Sequence, residues 1–233
     1  MNIEDLIKKS LQELQVIGSE ATKTQSNQKS KLIFPKYQCG KHQNEKRVSE
    51  QEARLLFIRE LELKNHMNIF YSIETPTKKS YKFSSKEEKD SYPDIVSVEK
   101  GGQSASFDLT IYNDQLQRIH FIEFKNGNVD TIKKDFLKLL CDEDNKENYF
   151  VNIIEREDLK NRNTLASIER KYCDAVNYII EKSKNNTDCK INSTLKIILF
   201  NINDGDFRRY RNINAQNTNI EVEEHGNLKS NKL

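Results

Sequence analysis

Two carboxylates and a lysine stand inside apolar runs in the stretch FDLTIYNDQLQRIHFIEFK, Phe107 to Lys125. On a strand over Arg118–Lys125, Glu123 and Lys125 share one face and Phe124 takes the other, because strand side chains alternate. On a strand over Ser106–Tyr112, Asp108 shares a face with Ser106 and Thr110. Phe107, Leu109 and Ile111 then share the opposite, apolar face. A hairpin loop over Asp114–Gln117 sets Asn113 opposite Arg118 and, counting back along both strands, Asp108 opposite Glu123. Cross-strand neighbours hold their Cβ atoms roughly 5 Å apart. A loop one residue longer or shorter breaks this pairing unless a bulge restores it. Two such carboxylates repel, and one would keep its proton. A hard cation such as Mg²⁺, with Mn²⁺ as its substitute, removes that cost. Lys125 could then hold an attacking water or face a scissile phosphate, the ordinary setting of metal-assisted hydrolysis. The plainer alternative is a hairpin whose charges simply reach water at its ends.

The elements around this hairpin can be read from periodicity and punctuation. Ile3, Leu6, Ile7, Leu11 and Leu14 recur at helical spacing, so Ile3–Val16 is an amphipathic helix with Gly18 as its stop. It is expected to dock on the body or on a partner, a second copy (a homodimer) included. Ser19–Asn44 is polar and aperiodic and reads as a linker. Ser49 and Glu52 have capping-box spacing, opening a helix to about Leu63 with Leu55, Leu56, Ile58 and Leu61 apolar. Asn68–Thr75 reads as a strand ended by Pro76, and Tyr81–Phe83 as an edge strand. After the hairpin, Asn126-Gly127-Asn128 breaks the chain. A helix over Val129–Leu140, a strand over Tyr149–Ile154 and a helix over Asn163–Lys182 follow. Leu195–Phe200 is apolar throughout, as in a strand buried on both faces. The order predicts an α/β domain with a mixed central sheet flanked by helices. The segments are 1–46, an N-terminal helix and basic linker; 47–204, the body; and 205–233, a polar tail expected to fray.

An aspartate on one strand and Glu-x-Lys on the next, on a sheet preceded by an acid-bearing helix, resembles the PD-(D/E)xK nuclease superfamily. The resemblance covers Arg47–Ile154 and implies a restriction-endonuclease-like core: helix, three strands, helix, strand (αβββαβ), with an additional helix and strand here. It implies that Asp108, Glu123 and the carbonyl of Phe124 bind Mg²⁺, that Lys125 assists the attacking water, and that a glutamate on the first helix completes the site. Glu52 is the nearest match and Glu50 the second. The implied activity is a metal-dependent endonuclease, DNA being the expected substrate, in restriction, defence or repair. Phe107 stands where the family often has proline. A literal Pro93-Asp94 lies in a polar, turn-like segment and is set aside. Acid-x-Lys also occurs at Glu62, Glu87, Asp144, Asp158 and Asp188, but only Glu123 ends an apolar strand. The competing expectation is a non-catalytic binding module on the same fold.

Other residues are weaker candidates. Lys133, Lys134 and Lys138 flank the hairpin site and could face phosphates, as could Lys78 and Lys79. Arg208, Arg209 and Arg211, with Phe207 and Tyr210 between them, could grip a backbone and stack bases. Each set reads equally as a solvated surface. His120 has the opposite parity to Glu123 and stays out of the site. Between Ala21 and Arg47 seven basic residues face one acid, yet net charge is only +2, so whole-molecule attraction to nucleic acid is weak. Cys39, Cys141, Cys173 and Cys189 form no zinc pattern, and Cys39 with His42 makes a lone CxxH, so free thiols are expected. No P-loop, GxSxG or GxGxxG is present. No apolar run approaches the ~18 residues of a membrane helix. The acid-bearing N-terminus is unlike a secretion signal, so a cytoplasmic protein is expected.

Overall fold

The computed structural model describes residues 2–20, 32, 34–41, 43, 48–64, 68–83, 96–127, 129, 132–144, 146–155, 162–185 and 188–228. The elements are α1 (Ile3–Glu20), α2 (Glu50–Lys64), β1 (Phe70–Phe83), β2 (Val96–Val98), β3 (Gln103–Tyr112), β4 (Arg118–Asn126), α3 (Ile132–Cys141), β5 (Glu147–Ile154), α4 (Arg162–Asn185), β6 (Thr194–Asn201), β7 (Asp206–Tyr210) and β8 (Val222–Asn227). Among the described residues the strands form one eight-stranded sheet in the order β2-β1-β3-β4-β5-β6-β7-β8. β4, β5 and β6 run parallel, and every other neighbouring pair is antiparallel. The expected α/β class with a mixed sheet and flanking helices is therefore present.

Each face of the sheet carries its own core. Parallel neighbours need a crossover, and α3 and α4 supply it. Phe136, Leu139, Leu140, Tyr172, Val176 and Ile179 pack there against Phe121, Phe150, Ile197 and Leu199. The other face is covered by α1 and α2, packed on Ile122, Phe124, Val151, Ile198 and Phe200. The apolar run of β6 thus alternates between two cores, as a doubly covered strand must.

The helix α1 docks on the body. Its stripe of Ile3, Leu6, Ile7, Leu11, Leu14 and Ile17 lies wholly in the intramolecular core, so that face is not available for joining two copies. Gly18 does not stop the helix, which runs to Glu20. A Cβ there would stand 3.4 Å from both Ile202 Cδ1 and Phe34 Cε2, at ordinary contact distance. Phe34, inside the segment read as a linker, is itself buried in this core. Much of that segment, including His42, and Pro93-Asp94 lie outside the described residues.

Three further expectations are corrected. Pro76 does not end β1, which continues through an irregularity between Pro76 and Ser80. Only Tyr81–Phe83 pairs with β2, so at Pro76 the outer edge of β1 demands no N–H. In α2, Leu55 is exposed, and Phe57 takes the core position with Ala53, Leu56 and Leu61. The chain after 205 is not a frayed tail through 228: β7 and β8 extend the sheet antiparallel from β6. Among the described residues no helix is long and apolar enough to cross a membrane.

Candidate active site

The β3–β4 hairpin closes one residue earlier than a loop over Asp114–Gln117 would. Tyr112 pairs with Arg118, and Asn113 N donates to Gln117 O at 3.0 Å. The next registered pair is Ile111 with His120, so Ile119 is an extra residue on β4, a bulge. The bulge restores the expected register. Thr110 pairs with Phe121 and Leu109 with Ile122, and there the registered pairing ends, one residue short of Asp108 and Glu123.

The alternation breaks at Asp108 itself. Phe107 stacks on Phe121, ring centroids 4.1 Å apart, in the core beneath α3 and α4. Leu109 and Ile111 lie in the core beneath α1 and α2, so the three do not share one face as expected. On the β1 side, Ile73 pairs with Leu109 and Thr75 with Phe107, but Glu74 and Asp108 between them do not pair. Glu74 has φ 49°, unusual for a residue with a Cβ. Released from regular pairing, Asp108 turns its Oδ2 to accept the Phe124 N–H at 2.8 Å.

Glu123 is buried against α3. Its Oε1 accepts from Lys138 Nζ at 2.6 Å. The same ammonium donates to the Ser106 carbonyl at 2.8 Å and lies 3.3 Å from Asp135 Oδ1. Only 4% of the Lys138 side chain is exposed. Burial pushes the Glu123 carboxyl well above its usual range; Lys138 opposes that, while the charges of Asp135 and Asp108 add to it. Burial also pushes Asp108 up to about 6, with the Phe124 N–H and Lys138 pulling the other way. Burial alone would lower Lys138, but the carboxylates of Glu123 and Asp135 outweigh it and hold the ammonium above its usual range. Three carboxylates therefore share one buried cation.

The start of α2 completes the surroundings. Glu52 Oε2 accepts from Ser49 N at 2.8 Å and from the Ser49 hydroxyl, so Glu52 closes the capping box and is committed to the helix end. Glu50 is the helix acid that reaches the hairpin. Its Oε1 accepts the Asn126 N–H at 3.1 Å and lies 3.5 Å from Lys125 Nζ. Arg54, one turn on, pairs with Glu74 at 2.6 Å and stands 3.9 Å from Asp108 Oδ1. Asn152, registered beside Lys125 on β5, is fully buried; its Nδ2 donates to the Tyr172 hydroxyl at 2.9 Å while its Oδ1 has no partner.

The other cations are placed elsewhere. Lys78 pairs with Glu143 at 2.9 Å and Lys79 Nζ donates to the Asp188 carbonyl at 2.9 Å, near Arg118 at the turn end of the hairpin. Lys133 Nζ lies 4.9 Å above the Tyr178 ring, and Lys134 is half-buried beside it on α3. Arg208 pairs with Asp206 on β7, and Arg209 with Glu4 of α1 and Glu223 and Glu224 of β8. His120 bonds the Glu147 carbonyl and stays outside the site, as its parity predicted. Lys138 and Asp135 are the residues that sequence reasoning undervalued. The signal was a lysine inside the run Phe136-Leu137-Lys138-Leu139-Leu140, where a solvated lysine has no place.

Asp108, Glu123 and the Phe124 carbonyl offer oxygen, and Mg²⁺ takes one or two carboxylates and keeps several waters. Among the described residues no three His, Cys, Asp or Glu side chains form a metal-holding group. All four cysteines are free. No family model matches the chain, and searches of curated proteins and of solved structures return no significant match.

Proposed function

We propose that this chain is a metal-dependent nuclease of the PD-(D/E)xK type, acting on DNA. The observation that carries the reading is the convergence of Asp108 with the Glu123-Phe124-Lys125 strand end where regular pairing lapses. The order α2, β1, β3, β4, α3, β5 supports it, being helix, three strands, helix, strand, with β2 as a short addition. Asp108, Glu123 and the Phe124 carbonyl would hold Mg²⁺. When bound, the ion would supply an acidified water and a clamp for phosphate oxygens. Lys125 orients the attacking water, and Glu50 orients Lys125. Glu50, and not Glu52, takes the helix-acid role.

A second reading, a binding module without catalysis, is favoured by one feature: Lys138 already neutralises Glu123. Fold alone does not choose between them. The deciding experiment is cleavage of plasmid and oligonucleotide DNA with Mg²⁺ or Mn²⁺, beside EDTA, for wild type and Lys125→Ala. Metal-dependent cutting lost in the variant is the expected result. Absence of cutting together with absence of Mn²⁺ binding by calorimetry would favour the module.

A further inference from the structure

Lys138 occupies an unusual place for a lysine. The side chain normally lays its stem on apolar surface and keeps its head in water. Here the ammonium is buried, and its three N–H groups have three oxygens to meet: Glu123 Oε1, the Ser106 carbonyl and Asp135 Oδ1. Two of these partners differ in kind. Glu123 is buried and belongs to the proposed metal site. Asp135 stands one turn earlier on α3 and is partly exposed, with 13% of its side chain accessible. The ammonium can therefore give up Glu123 and still keep a carboxylate and a carbonyl. A buried carboxylate left without any cation is strongly disfavoured, so Glu123 stays ionised only with one of the two beside it.

We infer that Lys138 is the resident counter-ion of the metal-free site, competing with the divalent cation for Glu123 and passing to Asp135 when the metal loads. This rests on the metal-site reading above. It gives α3 two electrostatic arrangements, one for each state of the site.

The test is calorimetric titration with Mn²⁺ at pH 8 on wild type, Lys138→Met, Asp135→Asn and the double variant, with circular dichroism as the check on folding. Removing the competitor should tighten binding about tenfold, the scale of one lost buried charge contact. Removing the fallback partner should weaken binding severalfold in wild type and much less beside Lys138→Met, because the two residues act through one contact. If wild type binds Mn²⁺ and Lys138→Met binds it equally or more weakly, Lys138 is only an anchor and the inference fails. Equal weakening by Asp135→Asn in both backgrounds reduces Asp135 to a general field and also overturns it. If Lys138→Met does not fold, Asp135→Asn alone decides, and unchanged or tighter binding defeats the inference. If no protein in the set binds Mn²⁺, the metal-site reading itself falls.

Discussion

Asp108 is half-buried, and that loss of solvent raises its carboxyl to about 6. In an unfolded chain an aspartate loses its proton near pH 3.9. Between those values the folded state holds a proton that the unfolded state has released, so folding is favoured below about pH 4 and the advantage is lost as pH rises through about 6. At pH 8 the native chain carries an ionised, desolvated carboxylate, at a cost of about 3 kcal/mol. Asp108→Asn should therefore be more stable than wild type by roughly that amount in urea at pH 8 with EDTA present. The gap should narrow by pH 5 and close toward pH 4. A variant no more stable than wild type at pH 8 would mean that the carboxylate is not desolvated. Glu50 and Glu52 separate in the opposite sense. Glu52→Ala should lower stability by about 1 kcal/mol through the lost cap and leave metal-dependent cleavage in place. Glu50→Gln should leave stability nearly unchanged and remove cleavage. Both acids stand in the first turn of one helix, so spacing alone could not rank them. The cap bond to Ser49 ranks them, and its capping-box pattern was visible in the sequence.

The helices α1, α2, α3 and α4 and the strands β4, β5 and β6 follow from local periodicity, because each buries a continuous stripe or run. β2, β7 and β8 do not. Their sequences, VSV, DFRRY and VEEHGN, are short or polar, and pairing onto the two ends of the sheet makes them strands. The hairpin lies between these cases. Counting back from the turn predicted Asp108 opposite Glu123, through a loop that does not form; the bulge at Ile119 keeps that register as far as Leu109 and Ile122. The switch of faces at Asp108 could not be read, since it arises from β1 and β4 both releasing β3 at one point. The helix α1 gives a further test. Its stripe is filled by the body, so Leu11→Ala removes buried methyl groups from a core position. The expected loss is about 3 kcal/mol in urea unfolding. The mass by light scattering should be the same as wild type, because no subunit contact uses that face. A change of mass without a loss of stability would return α1 to the role of a dimer contact.

Across the whole molecule, the sheet separates two cores, and the candidate site lies where the hairpin meets α2 on one side and α3 on the other. α3 is therefore the element through which the far core can bear on the site. It ends at Cys141, whose Sγ lies 3.9 Å from Sγ of Cys189 in the connection between α4 and β6. Both thiols are buried and free. A two-electron oxidant such as diamide would take the two thiol hydrogens and leave a disulfide, with side-chain rotation closing the gap. The bond would join positions 48 residues apart. Closing a loop of that size restricts the unfolded chain and favours the folded one by about 4 kcal/mol on the chain-entropy account. In a chain of this length that corresponds to a rise in Tm on the order of 10 °C. Diamide should therefore raise the Tm of wild type, and peptide mapping should find Cys141 joined to Cys189. Cys189→Ser should show neither effect, and added dithiothreitol should reverse both in wild type. Because the bond pins only the last residue of α3, Lys138 and its partners should keep their places, and Mn²⁺ affinity should be the same before and after oxidation. A large change in affinity would show instead that α3 moves as one piece between its connection to β6 and the hairpin.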